Sequence, residues 1–115
     1  MKAKAKTKGY DRELADRIRK ALVGRRGVTE KEMFGGIAFL LRGRMFCGIS
    51  KDALMARIGP DRYEGALSKA HVRPMDFTGR PMKGYVFVDA PGLRTQKSLA
   101  AWVTRCLEFV STLKK

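Results

Sequence analysis

The chain has 115 residues and a mass of 12.9 kDa, the size of one ordinary domain. Hydrophobic residues make up 44% and charged residues 31%, which supplies a core and excludes a disordered or low-complexity chain. Lysine and arginine number 25 against 11 acidic residues, a net charge of +14, and no apolar run approaches bilayer length, so a soluble, cytoplasmic, membrane-free protein is expected.

Residues 1–9 alternate Lys2, Lys4, Lys6 and Lys8 with small or polar residues and offer nothing to bury. They predict a mobile basic arm ahead of a single domain over 10–115. The charged N-terminus lacks the apolar stretch that a signal peptide carries behind it. The four lysines are candidate contacts for nucleic acid, held by loose and salt-dependent attraction to phosphates. The competing reading is a solvated tail, because no stretch interleaves aromatics with cations as a base-stacking platform does.

A first helix is predicted from Asp11 to Val23. Asp11 supplies the cap, and Leu14, Ile18 and Leu22 recur every four residues. Arg12, Asp16, Arg19 and Lys20 lie on its other face, with Asp16 four residues from both Arg12 and Lys20 and Glu13 four from Arg17. Gly24 ends the helix, and Gly27 redirects the chain. A β-rich half follows. Val28–Phe34 reads as an edge strand blunted by Glu30, Lys31 and Glu32. Ile37–Leu41, Met45–Ile49 and Ala53–Ile58 read as strands separated by short turns at Arg42-Gly43-Arg44 and Lys51-Asp52. Connections this short force antiparallel neighbours and a meander.

Gly59-Pro60 opens a short middle helix whose buried side is Tyr63, Ala66, Leu67 and Ala70. From His71 to Lys83 the pattern is irregular, punctuated by Pro74, Gly79 and Pro81. A last strand at Gly84–Val88 precedes a turn at Pro91-Gly92. The final helix starts near Thr95 and carries a broad apolar stripe that includes Leu99, Trp102, Val103, Cys106, Leu107 and Val110. The expected fold is α+β: a four- to five-stranded antiparallel meander sheet with N-terminal, middle and C-terminal helices packed on it.

Chemistry-bearing residues are sparse. Cys47 and Cys106 each sit in an apolar stretch and read as buried small hydrophobes rather than a bridge. One histidine and no close cysteine pair leave no zinc spacing, and no cofactor is expected. Gly35-Gly36 lacks the spacing of a dinucleotide loop, and no Walker motif is present. No nucleophile has a base in view, so catalysis is not expected. One cluster is a candidate anion site: Arg57, closing a strand, with His71, Arg73, Arg80 and Lys83 from the irregular segment. Local pairing of these groups with Asp61, Glu64 and Asp76 is the competing reading.

Met33-Phe34-Gly35-Gly36, followed by Gly43-Arg44-Met45-Phe46 and then Leu54–Ile58, resembles the MFGG…G-x-MF signature of the TfoX/Sxy N-terminal domain family. The stretch Arg73-Pro74-Met75-Asp76-Phe77 to Gly84-Tyr85-Val86-Phe87 is similar to the corresponding segment of its small, stand-alone bacterial members. The resemblance implies a competence-regulator-like domain. Longer members regulate natural competence alongside a transcriptional activator and carry a further helical domain. From the residues themselves the motif reads as folding information, since Met33, Phe34, Met45 and Phe46 bracket a hairpin and pin its register. The functional expectation is a non-enzymatic regulatory or interaction module. It binds a protein partner, with the transcription machinery as the class the resemblance implies, or pairs with a second copy. The alternative is a nucleic-acid-binding protein using the lysine arm and basic faces.

Overall fold

The computed structural model describes residues 10–33, 35–75 and 82–113. The expectations for the arm at 1–9, with Lys2, Lys4, Lys6 and Lys8, and for Phe34 and Arg80 lie outside the described residues. The first helix, α1 (Arg12–Ala21), begins where its cap predicts: the Asp11 carboxylate accepts the Leu14 N–H at 3.1 Å. It ends two residues short of Val23, which is 81% exposed. Leu14, Ala15 and Ile18 form its buried stripe.

Six strands follow: β1 (Val28–Met33), β2 (Gly36–Leu41), β3 (Arg44–Ser50), β4 (Ala53–Arg57), β5 (Val72–Pro74) and β6 (Tyr85–Val88). All neighbours are antiparallel, in the order β1-β2-β3-β4-β6-β5. The sheet therefore exceeds the expected four or five strands. The addition is β5, whose three residues end at Pro74 inside the segment that reads as irregular. The meander holds only through β4; β6 then pairs with β4 and places β5 at the edge. The β2–β3 turn is tight because Arg42 and Gly43 both adopt left-handed backbone, with φ of 51° and 86°. That geometry matches the twist of the flanking strands.

A 3-10 turn at Pro60–Arg62 leads into the short α2 (Tyr63–Leu67), which buries Tyr63 and Ala66. The last helix, α3 (Gln96–Ser111), starts at Thr95, whose hydroxyl accepts the Ser98 N–H at 3.0 Å. Its stripe buries Leu99, Trp102, Val103, Cys106, Leu107 and Val110. Helices α1 and α3 cover one face of the sheet. Ile37, Phe39, Cys47, Ile49, Leu54 and Val86 meet them in the main core.

A β-bulge shapes this packing. Phe39 pairs with Cys47 and Leu40 with Met45, leaving Phe46 as an extra residue on β3. Phe46 and Cys47 are consequently both fully buried in the helical core, while Met45 turns to the other face and is half-buried. Strict alternation does not produce two consecutive core residues there.

Ion pairs join α1 to the sheet differently from the sequence pattern. Arg19 pairs with Asp16 at 2.6 Å and reaches Glu30 of β1 at 2.7 Å. Arg17 crosses to the Leu93 carbonyl and to Gln96 Oε1 at the start of α3. The exposed face of α1 is thus a clamp between layers as well as a solvated surface. No helix among the described residues is long and apolar enough to cross a membrane.

Candidate functional site

Among the described residues, the face of the sheet opposite α1 and α3 has no helix on it. It is apolar nonetheless. Ala53, Met75 and Phe87 form a small second core there, with Met55 and Tyr85 packed against it. Beside this core lies a groove of about 270 Å³ whose walls include Ala38, Met45, Met55, Met75, Met82 and Tyr85. The Met82 N–H donates to the Met75 carbonyl at 2.9 Å, so these two methionines stand together at one side of the groove. Met75 is buried, at 3% exposure, whereas Met82 is 37% exposed. Methionine side chains are unbranched and polarizable, which lets such a wall adapt to an occupant.

One cross-strand row organises this face. Lys31 pairs with Ala38, Ala38 with Gly48, Gly48 with Met55, Met55 with Phe87, and Phe87 with Arg73. Directly opposed residues share a face, so the row is small or apolar in its middle and cationic at both ends. Five strand spacings make it roughly 24 Å long. Gly48 leaves room for the Met55 side chain: a Cβ there would stand 2.6 Å from both the Ile37 carbonyl oxygen and Met55 Cε.

The candidate anion residues are dispersed along this sheet. Arg57, at the end of β4, donates from Nη1 to the Met45 carbonyl at 3.2 Å. Its guanidinium lies 5.6 Å from the ring centres of Tyr85 and Phe109, joining the open face to α3 around the sheet's end. Lys83 is exposed at that same end, next to Gly84, whose carbonyl accepts the N–H groups of Ile58 and Gly59. Arg73 is two strand spacings and two residues from Arg57, roughly 12 Å between Cα atoms. It stacks on Phe87 at 4.6 Å, and its Nε donates to both Asp89 carboxylate oxygens at 3.0 and 3.1 Å. His71 is exposed at the far end of β6, where its carbonyl accepts the Asp89 N–H. The structure therefore brings Arg57 and Lys83 to one end and His71 and Arg73 to the other. A carboxylate engaging Arg73 is Asp89, which the competing reading does not name; the Asp76 of that reading lies outside the described residues.

Both thiols are interior. Cys47 on β3 and Cys106 on α3 are free and fully buried in the helical core. Burial pushes the Cys47 thiol well above its ordinary pKa, and the Cys106 thiol up to about 12. Neither is in the state that makes a cysteine nucleophilic at neutral pH. Among the described residues, no group of three or more His, Cys, Asp or Glu side chains is placed to hold a metal ion.

The motif residues serve the hairpins. Met33 pairs with Gly36 at the β1–β2 end, Gly35 takes φ of 76°, and Gly43 takes the β2–β3 turn described above. Met45 and Phe46 flank the bulge and point to opposite layers. What sequence reasoning did not identify is the open face itself. The available signal was the set of methionines at positions 45, 55, 75 and 82, none of which belongs to a helical stripe.

These features define a small α+β domain: a helical layer on one side of an antiparallel sheet and an apolar, methionine-walled face on the other. A family model described as the TfoX N-terminal domain matches residues 20–110, and the chain belongs to that family. No curated protein and no solved structure matches it.

Proposed function

We propose that this chain is a non-enzymatic, competence-regulator-like interaction module, acting in the cytoplasm, that binds a protein partner through the open face of its sheet. The observation that carries this reading is the apolar groove walled by Met45, Met55, Met75 and Met82 on a face that carries no helix among the described residues. Met82 is exposed at its rim and Met45, Met55 and Tyr85 are half-buried, and a partly open apolar groove of this kind is a common form of binding site. Family membership supports the regulatory class, with a component of the transcription machinery as the partner it suggests. Two buried, unpaired cysteines suit a reducing compartment.

The test is a comparison of native-cell affinity purifications using the parent chain and a Met55→Lys variant. Met55 is half-buried, and a lysine there places its charge on the groove floor with its tip free to reach water. Selective loss of recovered partners with Met55→Lys, at unchanged thermal stability, supports the reading. An identical set of partners from both chains refutes it.

A second reading is supported by the net charge of +14. In it, Lys2, Lys4, Lys6 and Lys8 hold nucleic acid without sequence preference. A salt titration of binding to a random duplex, with and without residues 1–8, tests it. Binding that survives deletion of these residues with an unchanged salt slope removes the arm from the account.

A further inference from the structure

Resting on the open-face reading, we propose that the occupant of the methionine groove is an acidic protein segment: one or two apolar side chains flanked by carboxylates. The charge on this face is one-sided. Its strand positions present Lys31, Arg57 and Arg73, and among the described residues none of them presents a carboxylate. The acidic residues of β1 are directed elsewhere. Glu30 pairs with Phe39 and Glu32 with Ile37, both on the helical face. There Arg19 takes Glu30 and the Tyr10 hydroxyl donates to Glu32 at 3.0 Å. Asp89, just beyond β6, is engaged by Arg73.

Two cations therefore border the groove, and among the described residues no ion pair engages either of them. Lys31 is directly across from Ala38 of the groove wall, on the exposed edge strand. Arg57 touches two other wall residues, Met45 and Tyr85. An apolar segment seated on the methionines with carboxylates on both sides meets one cation at each flank. The same distribution opposes a second copy as the occupant. Two such faces brought together juxtapose like charges, on chains that each carry +14.

The experiment follows the methionine, isoleucine and leucine methyl resonances of the full chain during titration with three synthetic peptides. They share one Leu-Phe-Leu centre and are flanked by Glu and Asp, by Ser and Gln, or by Lys. The acidic peptide is expected to shift the methyls of Met45, Met55, Met75 and Met82 while those of Ile18 and Leu99, in the helical core, keep their positions. Added salt is expected to weaken it, and Lys31→Glu to weaken it about fivefold. The core methyls report that this exposed-edge variant remains folded. Equal binding of all three peptides overturns the acidic preference while leaving the open-face reading intact. No shift with any peptide overturns both. Groove-methyl shifts that depend only on protein concentration identify a second copy as the occupant and overturn the proposal.

Discussion

Gly48 of β3 lies directly beneath the ε-methyl of Met55 on β4; a single added carbon at Gly48 would come within 2.6 Å of it. The same carbon would meet the Ile37 carbonyl oxygen at 2.6 Å, and backbone cannot swing aside as a methionine tip can. The seat of Met55, a wall residue of the groove, thus depends on one absent side chain. Gly48→Ala is predicted to destabilise the fold by about 1–3 kcal/mol, the usual cost of overpacking. It is also predicted to displace the Met55 methyl toward solvent. Urea denaturation reads the first effect and the Met55 methyl resonance the second.

Gly59 is constrained twice over. Its φ of 90° and ψ of 156° fall where essentially only glycine is found, and a Cβ there would stand 2.4 Å from the Phe109 ring. Gly24 has a similar φ of 85° but nothing within 4 Å of such a carbon. Gly59→Ala is predicted to cost about 3 kcal/mol or more, and Gly24→Ala only about 1 kcal/mol. Thermal melts of the two variants test the difference; equal losses would show that the Phe109 contact does not exist in solution.

The buried thiols set an alkaline limit. The folded-state pKa of Cys106 is raised to about 12 from an ordinary 9.0, and that of Cys47 is raised as well. Above pH 9 the unfolded chain releases these protons while the folded chain retains them, so stability falls as pH rises toward 12. Each thiol contributes a slope of at most about 1.4 kcal/mol per pH unit. Cys106→Ala is predicted to flatten that limb in denaturant titrations between pH 9 and 11, even though the lost sulfur lowers stability at pH 7.

Arg19 holds Glu30 below the usual carboxylate range, chiefly through their hydrogen bonds. The lowered pKa means that this contribution is complete above the usual glutamate range and is lost as pH falls through the folded-state value. Both side chains are more than a third exposed, so the pair is worth only about 0.2–1 kcal/mol. Glu30→Gln is predicted to produce a loss of that size at pH 7, shrinking in high salt and vanishing at low pH. A loss that persists in strong acid would mean that the ion pair is not its source.

Local signals carried much of the fold. Asp11 and Thr95 cap the helices that the apolar spacing predicts, and Arg42-Gly43 closes its hairpin by backbone conformation alone. The sixth strand was not legible because Val72–Pro74 is too short to show a period and gains its identity only by pairing with β6. The bulge was hidden because Met45, Phe46 and Cys47 are all apolar, so no polar residue marks where alternation slips. The open face was hidden for a related reason. Ile37–Leu41 is apolar throughout, a pattern that normally means both faces are covered; here helices cover only the Ile37 and Phe39 side. The distribution of Arg57, His71, Arg73 and Lys83 over two ends of the sheet follows from the β6 register, which no spacing in the chain reveals.

Partner binding through the second face requires that face to be accessible in the free protein. Paramagnetic broadening by a soluble nitroxide, read at the methionine, isoleucine and leucine methyls of the full chain, measures this directly. Met45, Met55 and Met82 should broaden strongly, with Met75 and the Ile18 and Leu99 methyls protected. If Met45, Met55 and Met82 are as sheltered as Leu99, the groove is already filled and the proposed contact surface does not exist.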